Sequence, residues 1–150
     1  GGQMSVEAAL PVPGVLALIA LLAQPACVLY ARAVMAATAG ELCRLVATAR
    51  CDEGEVRDYA LRRLAAVPNV AIFHEGGPGA WDVTVEGPDE RGIVTASIEG
   101  RVRPLPLLGA LVAPLGAQED GCVVVCVKVT AETRPEWLEG GYDDWIEMWE

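Results

Sequence analysis

The stretch from residue 8 to residue 31, AALPVPGVLALIALLAQPACVLYA, has no charged side chain over 24 positions, and Gln24 is its only strongly polar residue. About 20 apolar residues in an α-helix, each rising about 1.5 Å, cross the hydrocarbon core of a bilayer. A secretory signal peptide has a shorter apolar region that follows a basic stretch. The stretch therefore predicts a transmembrane helix over residues 8–31. The alternative is a buried hairpin of two core helices in a soluble protein, although a soluble helix seldom lacks a polar face for this length.

The helix is predicted to continue beyond this stretch. Residues 32–50 are rich in alanine and other helix-forming residues. A face with i, i+3, i+4, i+7 spacing, suited to packing on a domain, is formed by Leu42, Leu45, Val46 and Ala49. We therefore predict one helix from about residue 5 to about residue 50, with an amphipathic extension over residues 32–50.

Two prolines lie inside the predicted membrane span. Pro13 and Pro25 each remove a backbone donor, so each is expected to kink the helix or melt it locally. Proline in lipid is tolerated where neighbouring groups satisfy the freed carbonyls. The prolines therefore indicate packing against other helices, which small side chains would assist. Small residues on this helix include Gly14, Ala17, Ala20 and Ala33.

Charge is distributed unevenly along the 150 residues. The net charge is −10, but residues 1–50 carry +1 and residues 51–150 carry −11. An apolar N-terminal part is therefore joined to an acidic part that remains soluble. Because an acidic surface repels phosphates, nucleic acid is excluded as a partner.

The cysteines allow two interpretations. No C-x-x-C pair exists, and Cys122 and Cys126, four residues apart on a predicted strand, share a face but are too distant to bond each other. A disulfide between Cys51 and Cys122 or Cys126 can form outside the cytoplasm. Alternatively, the cysteines are small buried apolar residues. The full set is Cys27, Cys43, Cys51, Cys122 and Cys126.

The acidic part predicts an α+β head over residues 51–135. Residues 52–66 favour a second helix, because Asp52 is a suitable N-cap and Glu55 completes a capping box. The rest favours an antiparallel sheet of three or four strands separated by turns. The predicted strands cover residues 70–74, 81–86, 93–103 and 122–132. The fold class is thus α+β, with a long N-terminal transmembrane helix that continues into a small head.

Two further segments have open interpretations. Residues 104–115 (PLPLLGALVAPL) are too few to span a bilayer, so they pack either on the sheet or on the membrane surface. The acidic tail, residues 136–150, either folds onto the domain or docks into a partner's groove through its tryptophans. Those tryptophans are Trp137, Trp145 and Trp149.

The sequence gives little support for catalysis or for metal binding. His74 is the only histidine, and the sequence HEGGPG around it lacks the second histidine of a zinc protease motif. Neither a G-x-S-x-G motif nor a phosphate-binding loop occurs. An acid–base pair of His74 and Glu75 is the weak exception. We therefore predict that the protein is not an enzyme and has no catalytic residue, metal or cofactor.

Glu7 stands at the start of the apolar stretch. A carboxylate at membrane depth is costly unless it is paired. If the chain were cut after Gly2, the free α-amino group of Gln3 could neutralise Glu7 of a neighbouring subunit. Alternatively, Glu7 marks the interfacial start of the helix, where the helix dipole favours it.

These N-terminal residues resemble the TadE-like pseudopilins of the tight-adherence pilus system, a branch of the type IV pilus and type II secretion machinery. The resemblance rests on Gly2, on Glu7 five positions later, on the apolar run from Ala8, and on Tyr30-Ala31-Arg32. One departure is Ala8, where the family usually has an aromatic residue. The match covers about a third of the chain.

The resemblance implies a minor pilin-like subunit of a pilus or secretion assembly. It implies cleavage by a prepilin peptidase after Gly2, a mature chain that starts at Gln3, and a role for Glu7 in subunit insertion and register. The expected location is the cell membrane, with one span and an extracytoplasmic head. The expected partners are other pilin-like subunits, an inner-membrane assembly platform and membrane lipid. Residues upstream of Gly1, with a basic leader, are also expected.

A rival hypothesis retains the membrane anchor but assigns the protein no role in a pilus. In it, the protein is a single-pass membrane protein with an extracytoplasmic binding domain unrelated to pili, and no cut after Gly2 is needed. The mature N-terminus discriminates between the two hypotheses.

Overall fold

The computed structural model describes residues 11–48, 51–105 and 108–133. A long helix, α1 (Pro11–Thr48), is followed by a shorter helix, α2 (Glu53–Leu64). A single turn, α3 (Gly109–Val112), continues into a 3₁₀ turn (Ala113–Leu115). The strands are β1 (Asp82–Glu86), β2 (Ile93–Val102), β3 (Ala117–Glu119) and β4 (Cys122–Glu132). The predicted α+β class, with a long apolar helix leading into a small head, is confirmed.

The four strands form one antiparallel sheet in the order β1-β2-β4-β3. β2 pairs with β4 along its whole length, from Ile93 opposite Glu132 to Val102 opposite Val123. Burial alternates along β2, as expected for a strand with one covered face. The covered face carries Val94, Ala96, Ile98 and Val102 of β2, and Val123, Val125 and Val127 of β4. β3 was not predicted as a strand, because its three residues are too few to show a pattern.

The C-terminal part of α1 covers this face of the sheet. The Cys43 thiol lies 3.8 Å from the carbonyl oxygen of Val94 and 3.5 Å from that of Val129, so α1 touches both central strands. The side of α1 that is buried against the head comprises Gln24, Val28, Ala31, Met35, Thr38, Ala39, Leu42 and Cys43. The predicted packing of the amphipathic extension is confirmed for Leu42, which is buried, and for Leu45 and Val46, which are partly buried against the core. Ala49 lies outside the described residues.

α2 begins at the predicted capping box and packs against α1. The Asp52 side chain accepts a bond from the Glu55 amide at 2.7 Å, and the Glu55 carboxylate accepts one from the Asp52 amide. Glu41 of α1 then accepts hydrogen bonds from Tyr59, at 3.0 Å, and from Arg63. The Arg63 guanidinium keeps the pKa of the Glu41 carboxyl below its usual value. These polar contacts fix α2 beside the long helix.

One local prediction was wrong, and one was narrowed. Residues 70–74 do not form a strand, because the Val70 carbonyl accepts bonds from the amides of Phe73 and His74 and closes the chain into turns. The segment still joins the end of the sheet, since the Arg103 amide donates to Ala71. At Pro25 the helix is continuous, so of the two expected effects local melting is excluded and a kink stays a prediction. Pro13 lies close to the first described residue, Pro11, so its expected effect on the helix also stays a prediction.

Candidate membrane anchor and its junction with the head

α1 divides into two parts with different surroundings. The free half, residues 11–23, is exposed at every position, whereas the docked half, residues 24–48, packs against the head along one side. Only 11% of the 18-residue apolar window of α1 is buried, and its mean hydropathy is 2.2. A helix wrapped in its own globule would be mostly buried, so the soluble-hairpin alternative does not fit the described residues. α1 is long and apolar enough to cross a membrane.

The free half exposes more apolar surface than a water-soluble helix would. Its large aliphatic side chains are between 38% and 65% exposed: Val12, Val15, Leu16, Leu18, Ile19, Leu21 and Leu22. Full burial of each is worth about 1.5–3 kcal/mol, so leaving seven of them half exposed forgoes on the order of 5–10 kcal/mol. This amount is comparable with the whole stability of a domain, about 5–15 kcal/mol. This exposed apolar surface fits a lipid or protein environment around the free half.

The two sides of the free half differ in side-chain size. Ala17 precedes Gln24 by seven residues and Gly14 precedes Val28 by fourteen, so both small residues continue the side of α1 that faces the head. Ala33 lies on the other side, about 160° around the helix from Ala17. The side of the free half that points away from the head carries larger residues: Val15, Leu18, Ile19 and Leu22.

The junction between anchor and head is built at Gln24. Its side chain is 1% exposed, and its Oε1 accepts a hydrogen bond from the Leu105 amide at 2.9 Å. Gln24 is the only strongly polar residue of the predicted span; this contact satisfies its Oε1, whereas its Nε2 is buried without a hydrogen-bond partner among the described residues. Packing on the head thus begins at residue 24, eight residues before the predicted start of the amphipathic extension. Residues 24–31 therefore belong both to the predicted transmembrane span and to the part of the helix that packs on the head.

Two further side chains hold the head close to α1 at this level. The Tyr30 hydroxyl donates to the carbonyl of Ala66 at 3.1 Å, and its ring meets Phe73 edge to face with centroids 6.0 Å apart. Arg32, the first charged residue after the span, donates to the carbonyl of Leu115 at 3.2 Å. Two segments of the head, one containing Ala66 and Phe73 and the other containing Leu105 and Leu115, therefore close around the helix next to the free half.

The cysteines do not form the disulfide considered from the sequence. All five thiols are free. Cys51 packs with the core on the helix side of the sheet, beside Val83 and Val85 of β1. Cys122 and Cys126 alternate with the buried valines of β4, so they lie on the opposite face. The sheet therefore separates Cys51 from the two cysteines with which it could have paired.

His74 and Glu75 have separate environments and do not form the acid–base pair considered above. The His74 ring is 3% exposed, stacks on Trp81 at 3.7 Å between centroids, and places Nε2 3.1 Å from the Gly77 carbonyl. Burial lowers the pKa of His74. Glu75 instead accepts bonds from Arg103 at 2.9 Å and from the Cys122 thiol at 3.0 Å. The neighbouring carboxylate raises the pKa of Cys122, so this thiol is less reactive than a free one.

The Glu75–Arg103 pair borders a groove of about 450 Å³ on the face of the sheet that the helices leave open. Charged residues of both signs line it, among them Asp82, Glu99 and Arg101. The groove is the feature that a binding domain unrelated to pili would use. No occupant is indicated by its geometry.

Several predicted site residues lie outside the described part of the chain. These are Gly2, Gln3 and Glu7, together with the tail of residues 136–150. Their predicted roles in processing, register and docking stay predictions. Among the described residues, sequence reasoning missed Gln24 as the point where the head closes on α1. The signal for it was its isolation as the one polar residue in the apolar run.

Comparisons with protein-family models, with curated proteins and with solved structures found no match to this chain. The protein is therefore defined at the level of class: an α+β head carried on one N-terminal helix that is long and apolar enough to span a membrane. The pseudopilin resemblance stays a prediction from the N-terminal residues.

Proposed function

We propose that this protein is a pilin-like membrane subunit of a tight-adherence pilus or secretion assembly and that it acts as a structural component rather than as an enzyme. The observation that carries the proposal is the division of α1. One uninterrupted helix has a free apolar half and a half docked on an antiparallel sheet. The free half would hold the subunit in a membrane before assembly, and the docked half would carry the head.

The exposed side of the docked half supports helix packing between subunits. Ala33, Ala36, Ala37 and Gly40 have i, i+3, i+4, i+7 spacing, and the three alanines are exposed. They form two small-x-x-x-small pairs, the pattern that lets helix backbones approach closely. A Cβ atom added at Gly40 would meet no other atom within 4 Å, so this glycine serves no packing need inside the subunit. A neighbouring helix is the partner that such a surface fits.

The N-terminal residues supply the second element of the proposal. The resemblance assigns cleavage after Gly2, which would give Gln3 a free amine within reach of Glu7 of a neighbouring subunit. The pair would remove the cost of an isolated carboxylate at the membrane. Partners on this proposal are other pilin-like subunits, a prepilin peptidase and the assembly platform.

Processing of the full-length precursor tests the proposal. In cells that contain the peptidase, Gly2→Ala should block shortening, whereas the matched variant Gly1→Ala should leave it unchanged. Intact mass of the mature chain should place its N-terminus at Gln3. A precursor that keeps its length with Gly2 intact, or a Gly2→Ala chain that is still shortened to Gln3, would remove the basis for the pilin assignment and favour the membrane-anchored binding domain.

A further inference from the structure

Between Glu7 and Gln24, the first residue docked on the head, lie 16 uncharged residues, 8–23. An ideal helix of this length spans about 24 Å at about 1.5 Å per residue. The hydrocarbon core is about 30 Å thick, so with Glu7 at the inner interface roughly four more residues are needed. With Glu7 at that depth, the span includes residues to which the head is already bound.

Exposed apolar residues continue beyond the free half at this level. Leu29 is 54% exposed and Tyr30 46% exposed, both on the side of α1 away from the buried row. On the head itself, Val70 is 53% and Leu105 39% exposed. We refer to these four residues as the membrane rim. Among the described residues, they are all the large exposed hydrophobics that lie outside the free half.

Val70 and Leu105 of the membrane rim lie in the two segments of the head that close on α1. Val70 lies in the loop that Tyr30 reaches through Ala66 and Phe73, and Leu105 donates its amide to Gln24. The two segments lie in the two longest uncharged stretches between residues 51 and 133. These stretches are residues 64–74, counting His74 as neutral, and residues 104–118. Both uncharged stretches meet the helix within residues 24–32, where the span is incomplete.

We propose that the membrane rim is immersed in the outer interface of the lipid bilayer, so that the head contacts lipid directly instead of standing above the membrane on a stalk. The inference rests on α1 being a membrane anchor, as the proposed function requires. Lipid is the occupant because the rim continues the exposed surface of the spanning helix and supplies the missing thickness. Tyr30 fits this depth, since tyrosine is enriched where hydrocarbon meets headgroups. Arg32, half a turn higher, marks the first charge above the interface.

Photo-cross-linking of the full chain in phospholipid vesicles tests this placement. The photoreactive residue p-benzoylphenylalanine replaces Val70 or Leu105, both of which are exposed. Leu18, in the free half, is the positive control. Glu90, in the β1–β2 loop, is the negative control. That loop lies at the level of Cys43, which is 19 residues and about 28 Å along α1 from Gln24.

Mass spectrometry of the irradiated chain distinguishes the outcomes. The expected result is a phospholipid adduct at positions 18, 70 and 105 and no adduct at position 90. Lipid adducts at position 18 without adducts at 70 and 105 would overturn the rim and leave the anchor intact. Cross-links from 70 or 105 to a second protein chain would also overturn it, in favour of a subunit contact. Absence of lipid at position 18 would overturn the anchor, and with it the proposed function.

Discussion

Substitutions at Gly40 test two separate properties: a small side chain should stabilise the subunit, and a large one should hinder its assembly. It lies inside α1, where glycine costs about 0.5–1 kcal/mol relative to alanine because of its backbone freedom. The added Cβ has no heavy atom within 4 Å, so no clash offsets the gain. Gly40→Ala should therefore raise the free energy of unfolding by about 0.5–1 kcal/mol.

Urea unfolding of the chain in detergent, followed by far-ultraviolet circular dichroism, measures this gain. With a denaturant slope of about 1–3 kcal/mol per molar urea for a small domain, the midpoint should rise by about 0.5 M. Ala33→Gly, a matched variant on the same exposed face, should lower the midpoint by a similar amount. A lower midpoint for Gly40→Ala would show that the added methyl group is not in open space and would refute the reasoning.

Assembly should respond to bulk at the same position. Gly40→Leu keeps a good helix former in the subunit but places a large side chain between small residues that are proposed to meet a neighbouring helix. We expect reduced cross-linking of the chain to other subunits in native membranes. Thr130→Leu places the same leucine side chain on the open face of the sheet and should leave cross-linking unchanged. Unchanged cross-linking for Gly40→Leu would remove α1 from the subunit interface.

Three further predictions concern the anchor, the core and pH. Ile19→Asp places a charge near the centre of the span at a cost of about 2.5–3.5 kcal/mol, so the membrane fraction should fall, whereas Thr84→Asp on the head should not change it. Gly100→Ala drives a Cβ into the Trp81 ring and should cost about 1–3 kcal/mol, read as a lower urea midpoint; an unchanged midpoint would contradict the packing. Burial lowers the pKa of His74, so as the pH falls the unfolded chain binds a proton before the folded chain does. The stability that His74 contributes should therefore be complete above about pH 6.5 and should fall as the pH drops below it. A thermal midpoint that stays flat between pH 7.5 and 5, or a His74→Phe variant that keeps the same pH dependence, would contradict this.

The sequence by itself determined the features that depend on neighbouring residues. The apolar length of α1, the capping box at Asp52 and the alternating burial of β2 each follow from side chains within a few positions of one another. The charge difference between the two parts of the chain also required no structure. Such patterns are local, so one chain is enough to see them.

Only the tertiary structure decided where the head closes on α1, on which face of the sheet each cysteine lies, and that residues 70–74 turn back instead of pairing. Gln24 and Leu105 are 81 positions apart, and nothing near either residue indicates that they meet. Cys51 and Cys122 are separated by a sheet whose register is set by β2 and β4. Contacts between distant residues depend on how all the elements pack at once, so local pattern could not predict them.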